Sequence, residues 1–114
     1  MASEDTVVDW NEYQQWAALG LLDTAMIPGH PLVYPALGLA GEAGEYVDKV
    51  KKTVRDGMPE DKEDMALELG DVLWYLAVSA EHLGYDLSTI VEMNMAKLNR
   101  RREANNIQGS GDHR

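Results

Sequence analysis

Two acidic doublets, Glu42-Ala43-Gly44-Glu45 and Glu68-Leu69-Gly70-Asp71, constrain this chain more than any other feature, because each lies inside a stretch of helical periodicity. Acids three residues apart share a face of an α-helix, with Cβ atoms roughly 5–6 Å apart, and like charges held that close destabilise the helix unless something positive sits between them. Both stripes extend at steps of three or four. Glu42 and Glu45 are followed by Lys49 and Lys52, and Glu68 and Asp71 are flanked by Asp61, Asp64 and Tyr75. One such doublet reads as a solvated acidic face. Two on successive helices point to a bound cation.

The surroundings of the second doublet sharpen that reading. From 65 to 83 the apolar residues cover nearly the whole circumference of a helix, and a helix apolar almost all round is expected to be buried. Its acids are then expected to line an interior cleft, where unpaired carboxylates are costly and a metal ion compensates them.

At 114 residues the chain is one domain, small enough that a helical version gains from oligomerisation. Twenty acids against ten Lys plus Arg give a formal charge of −10, which argues against nucleic acid as a partner, since that binding is dominated by basic contacts to phosphates. A phosphate-bearing small ligand would need a metal to bridge the like charges. The absence of cysteine excludes a disulfide framework and thiol chemistry. No basic region followed by an apolar run opens the chain, and no segment approaches ~20 uninterrupted apolar residues, so the expectation is a soluble cytoplasmic protein without a membrane.

Along the chain, residues 1–8 read as a flexible polar lead, 9–104 as the domain and 105–114, with Gly109-Ser110-Gly111-Asp112, as a flexible tail. Asp9 with Glu12 forms a capping-box variant opening helix one near Trp10. Residues 24–35, rich in Pro and Gly but holding His30, Val33 and Tyr34, form an irregular loop suited to be a ligand wall. Helix two is expected from Pro35 to Arg55, before Asp56-Gly57 and Pro59. Helix three follows over 60–83 and is closed by Gly84. Helix four, capped by Asp86 or Ser88, runs to Glu103, with Ile90, Val91, Met95 and Leu98 inward and Asn94, Lys97 and Arg101 on another stripe. No strand-like alternation appears, so the fold is all-α with four main helices.

Several residues have a plainer explanation. Trp10, Trp16 and Trp74 at helical spacing are by default core, and Lys97 and Arg101 suit the negative end of a helix dipole. Asn94, an amide among Met93, Met95 and Leu98, is better explained by something to bind. His30, His82 and His113 give no metal-ligand spacing, since Ile27 and Ser79 stand where a di-iron bundle needs its Glu-x-x-His glutamate.

The order Glu-x-x-Glu, about twenty residues, Glu-x-x-Asp, then Asn94-x-x-Lys97 resembles the MazG-like family of all-α nucleoside triphosphate pyrophosphohydrolases, over about residues 10–102. Tyr13-Gln14, Tyr34-Pro35-Ala36-Leu37-Gly38-Leu39 and Leu98-Asn99-Arg100-Arg101 are also similar. The resemblance implies a four-helix bundle completed by dimerisation, as a homodimer or homotetramer, of the short phage and bacterial type. It implies that Glu42, Glu45, Glu68 and Asp71 form the catalytic Mg2+ site, with Mn2+ as a substitute. It further implies that Asn94 and Lys97 contact the triphosphate, and Lys49, Lys52, Arg101 and Arg114 are the other candidate phosphate ligands. The reaction would split a triphosphate between its α and β phosphates into monophosphate and pyrophosphate. Trp10, His30, Tyr34 and Tyr75 are the aromatic candidates for holding the base. A purine deoxynucleotide such as dGTP is the first-choice substrate, and dCTP or dUTP the alternative. A non-catalytic dimerising or ligand-sequestering protein on this scaffold is the reading of another class, against which the intact acids argue.

Overall fold

The computed structural model describes residues 8–21 and 27–108, with side chains to 105. These residues form four helices, α1 (Trp10–Gly20), α2 (Val33–Arg55), α3 (Lys62–Leu83) and α4 (Leu87–Gln108). The residues that start and stop them are mostly local. Asp9 caps α1 by accepting from the backbone N–H groups of Asn11 at 2.8 Å and Glu12 at 3.1 Å. α2 starts at Val33, two residues before the expected Pro35, which lies in the first turn where a missing N–H costs nothing. Asp61 caps α3 by accepting from Asp64 N–H at 3.0 Å, so this helix begins at Lys62 rather than at 60. Gly84, at φ 81°, closes it in the left-handed region that glycine tolerates best.

The start of α4 departs from expectation. Neither Asp86 nor Ser88 supplies its cap; α1 does so across the fold. Leu87 N–H donates to Gln14 Oε1 at 2.9 Å and Ser88 N–H to Asn11 Oδ1 at 3.1 Å. In return Gln14 Nε2 donates to the Tyr85 carbonyl at 2.8 Å and Asn11 Nδ2 to Ser88 Oγ at 3.0 Å. The far end of α4 also runs past the expected Glu103, to Gln108.

Two packing units result. α2 and α3, joined by a short connection ending in Asp61, form a hairpin whose pairings run in opposite directions. Lys49 meets Asp64 and Glu68, and Gly38 meets Tyr75. The core proper is elsewhere, where α1, the C-terminal half of α3 and the first turn of α4 meet. It consists of Ala17, Ala77, Val78, Ala80 and Leu87, flanked by Tyr13, Leu21, Trp74, Leu76 and Ile90.

This arrangement corrects the expectation that α3 is buried all round. Leu67 is 64 % exposed and Leu69 49 %, because α2 covers one face of this half of the helix while α1 and α4 reach the other half. Of the α4 residues expected inward, Ile90 packs on the core, whereas Val91, Met95 and Leu98 are exposed. The Cα radius of gyration of 17.5 Å exceeds the ~13 Å of a compact chain of this size, in keeping with a small core and outlying apolar faces. Among the described residues no helix is long and apolar enough to cross a membrane.

Candidate active site

The hairpin brings Glu42 of α2 against Glu68 and Asp71 of α3. One carboxylate oxygen from each lies within 4.8 Å of the others. Glu42 and Glu68 are half-buried and Asp71 is exposed, so the acids lie at the surface of the hairpin rather than in the interior cleft expected. The physical reason is the one that exposes Leu67: among the described residues, α1 and α4 pack mainly on the other half of α3.

Electrostatics record the crowding. The Glu42 carboxyl is raised above its ordinary range by burial and then by repulsion from Asp71 and Glu68, with a smaller contribution from Glu45. Three oxygen donors with this much negative charge in one cluster match a hard divalent cation. Glu45 is exposed and stands outside that grouping.

The expected phosphate ligands are dispersed. Lys49 bonds to Asp64 and, at 3.0 Å, to Glu68, and these two acids hold its ammonium well above the usual lysine range. Lys52 pairs with Asp48 at 3.0 Å. Asn94 and Lys97 line an open hollow of about 450 Å³ on α4 with Ile90, Met93, Ala96 and Arg100, and none of the three clustered acids is in its lining. Arg101 is half-buried further along α4. Arg114 and the rest of 109–114 lie outside the described residues, as do residues 1–7 of the expected lead, while 105–108 of the expected tail are the last turn of α4.

The aromatic candidates fall into two groups. Trp10 lines an almost wholly apolar pocket of about 400 Å³ with Val8, Tyr13 and Leu73. The Tyr13 phenol is raised by burial and then by the Asp71 charge, so the charge of one of the three acids reaches this pocket. Tyr34 and Tyr75 have ring centroids 6.2 Å apart, and Tyr75 lies so close over α2 that a Cβ on Gly38 would stand 2.1 Å from its ring. That contact explains one of the glycines that lower the helicity of α2. The Tyr75 phenol is raised by burial, by a hydrogen bond with Tyr34 and by the charges of Tyr34, Glu42 and Asp71. His30 is exposed in a turn, its N–H donating to the Ile27 carbonyl at 2.9 Å. Sequence reasoning passed over Tyr13 and Leu73 as pocket residues. The spacing of Trp10 and Tyr13, three apart on one helix face, was the available signal.

The described residues thus form an all-α domain with clustered carboxylates on a helical hairpin. The MazG nucleotide pyrophosphohydrolase domain matches residues 35–105, the stretch that holds nearly all of α2, all of α3 and most of α4. The chain is also similar to the gene 37 protein of Mycobacterium phage L5, 45 % identical over 103 residues, which covers 81 % of this chain and 90 % of that protein. No solved structure matches it. The chain belongs to the MazG nucleotide pyrophosphohydrolase family.

Proposed function

We propose that this protein hydrolyses a nucleoside triphosphate at the α–β phosphoanhydride, so that one water and the triphosphate yield a monophosphate and pyrophosphate. The observation that supports this most is the convergence of Glu42, Glu68 and Asp71 within 4.8 Å, together with an apolar pocket lined by Trp10, Tyr13 and Leu73. Glu42, Glu45, Glu68 and Asp71 would hold Mg2+, or Mn2+ in its place. When bound, such an ion neutralises phosphate oxygens and lowers the pKa of an attacking water. Whichever carboxylate of the set the cation leaves partly free would take the water's proton. Asn94 and Lys97 contact the triphosphate, helped by Lys52, Arg101 and Arg114. The apolar pocket, with Tyr34, Tyr75 and His30, accepts the base.

The base proposed first is a purine, with dGTP as the substrate. Stacking on aromatic side chains contributes roughly 1–3 kcal/mol per base, and a purine presents more area to Trp10 and Tyr13 than a pyrimidine does. Pyrophosphate release across the eight common ribo- and deoxyribonucleoside triphosphates, with and without chelator, is the test. The expected result is highest kcat/KM with dGTP and none in excess chelator. A preference for dCTP or dUTP above about tenfold, some 1.4 kcal/mol in transition-state stabilisation, overturns the purine assignment. Nucleotide binding without any pyrophosphate release favours the sequestering protein instead. The cytoplasm, a host cell's if the protein is phage-encoded like its relative, is where such substrates are found.

Self-association belongs to the same proposal. Val47, Val54, Leu67, Met95 and Leu98 are all exposed, on three different helices, and this much large apolar surface left uncovered supports association with another copy. Sedimentation at micromolar concentration is expected to show a homodimer or homotetramer, and a stable, fully active monomer would contradict it.

A further inference from the structure

We infer that Lys49 is a positioning residue, whose ammonium, held between Asp64 and Glu68, fixes the Glu68 carboxylate where it meets Glu42 and Asp71. The inference rests on the reading of those acids as a divalent-cation site. It gives Lys49 a different task from the phosphate contact that its place on the stripe suggests.

The geometry is a bracket across the hairpin. Asp64 and Glu68 stand four apart on α3, one turn above the other, and the single ammonium of Lys49 reaches from α2 to both. Asp64 is itself part of a fixed element, because its N–H is tied to the Asp61 cap. The Lys49 and Glu68 side chains are only 27 % and 15 % exposed, so the pair is shielded from water more than the open Lys51–Asp48 and Lys52–Asp48 pairs. Lys49 bonds to Oε1 of Glu68, and an oxygen of the same carboxylate lies in the three-acid grouping, so one side chain belongs to both the ion pair and the cluster.

Two effects of Lys49 on cation affinity have opposite signs, which makes the role measurable. As a bare positive charge near the cluster, it repels a cation, and removing it would tighten binding. As the group that orients a ligating carboxylate, its loss loosens binding, and removal of such outer partners typically costs 10–100-fold in metal affinity. The bracket geometry predicts that orientation prevails.

The test is titration of the full chain with Mn2+ alone, free ion being followed by electron paramagnetic resonance. Lys49→Met is expected to weaken Mn2+ binding by about tenfold or more, Lys49→Arg to recover most of the loss, and Asp64→Asn to weaken it in the same direction but less. With Mn2+ raised to saturation, KM for the nucleotide should change little in Lys49→Met. Binding of Mn2+ as tight as in the parent or tighter, together with a raised KM, overturns the inference and makes Lys49 a phosphate ligand. A parent chain that binds no Mn2+ removes the cation reading and this inference together, whereas a binding parent with unaffected variants removes this inference alone. If circular dichroism shows Lys49→Met unfolded, Asp64→Asn decides, and unchanged Mn2+ affinity in that variant overturns the role.

Discussion

Glu68→Gln and Asp71→Asn are each expected to lower kcat/KM for pyrophosphate release on the order of 1,000-fold while leaving the helical circular dichroism intact. A metal ion at a phosphoryl centre supplies several kcal/mol of transition-state stabilisation, and about 4 kcal/mol corresponds to that factor. Neither substitution creates a cavity, because the amide is isosteric with the acid and both residues lie at the surface of the hairpin. The two variants should differ in the stability of the metal-free chain. Asp71 pushes the Glu42 carboxyl upward. A carboxyl held above its ordinary value contributes stability at acid pH and loses it as pH rises through the raised value, so at neutral pH Asp71→Asn relieves repulsion and raises Tm slightly. Glu68→Gln relieves repulsion on the same cluster but also breaks the Lys49 ion pair, so no comparable gain is expected. Turnover within tenfold of the parent in either variant, with Mg2+ present, would remove that acid from the cation site.

How much of this was legible in the sequence depended on how local the cause was. Asp9, Asp61 and Gly84 act on their own helix ends within three or four residues, and the four helices were placed to within a few residues on such signals. The acid doublets were legible for the same reason, since the helical repeat alone puts Glu68 and Asp71 on one face. The convergence of Glu42 with them needed only the antiparallel hairpin that a short connection enforces. Burial was not legible. The periodicity of α3 reports how much apolar surface a helix carries, while exposure depends on which neighbours arrive, and α1 and α4 arrive mainly at one half. The cap of α4 was illegible for a related reason. Its partners lie more than seventy residues apart in sequence, and they include backbone groups, which leave no mark on residue identity. The stripe on α2 shows where Lys49 points along its own helix, but its ion-pair partners Asp64 and Glu68 come from α3 and leave no mark on that stripe.

The same cap carries the largest expected effect on folding stability, through Gln14. Its side chain is fully buried and is the shared partner of two backbone groups, accepting from Leu87 N–H at 2.9 Å and donating to the Tyr85 carbonyl at 2.8 Å. Gln14→Met keeps the length of the side chain but removes both functions, stranding a donor and an acceptor beside Leu87, itself a core residue. A buried polar group left without its partner costs about 1–3 kcal/mol, so the expected loss is about 2–5 kcal/mol, a large share of the ~5–15 kcal/mol that holds a domain together. Asn11→Ala should cost less, because its bonds to Ser88 are only part-buried and water can replace them. Urea unfolding of both variants and the parent at one protein concentration, to hold any self-association constant, gives the comparison. The effect should reach the site as well, since this cap sets the direction in which α4 leaves the core and hence where Asn94 and Lys97 are presented. Gln14→Met is therefore expected to raise KM for the nucleotide even below its unfolding transition. A Gln14→Met midpoint indistinguishable from that of the parent would mean that the α1–α4 bonds are dispensable and that the apolar contacts of Ala17, Val78 and Leu87 alone hold α4 in place.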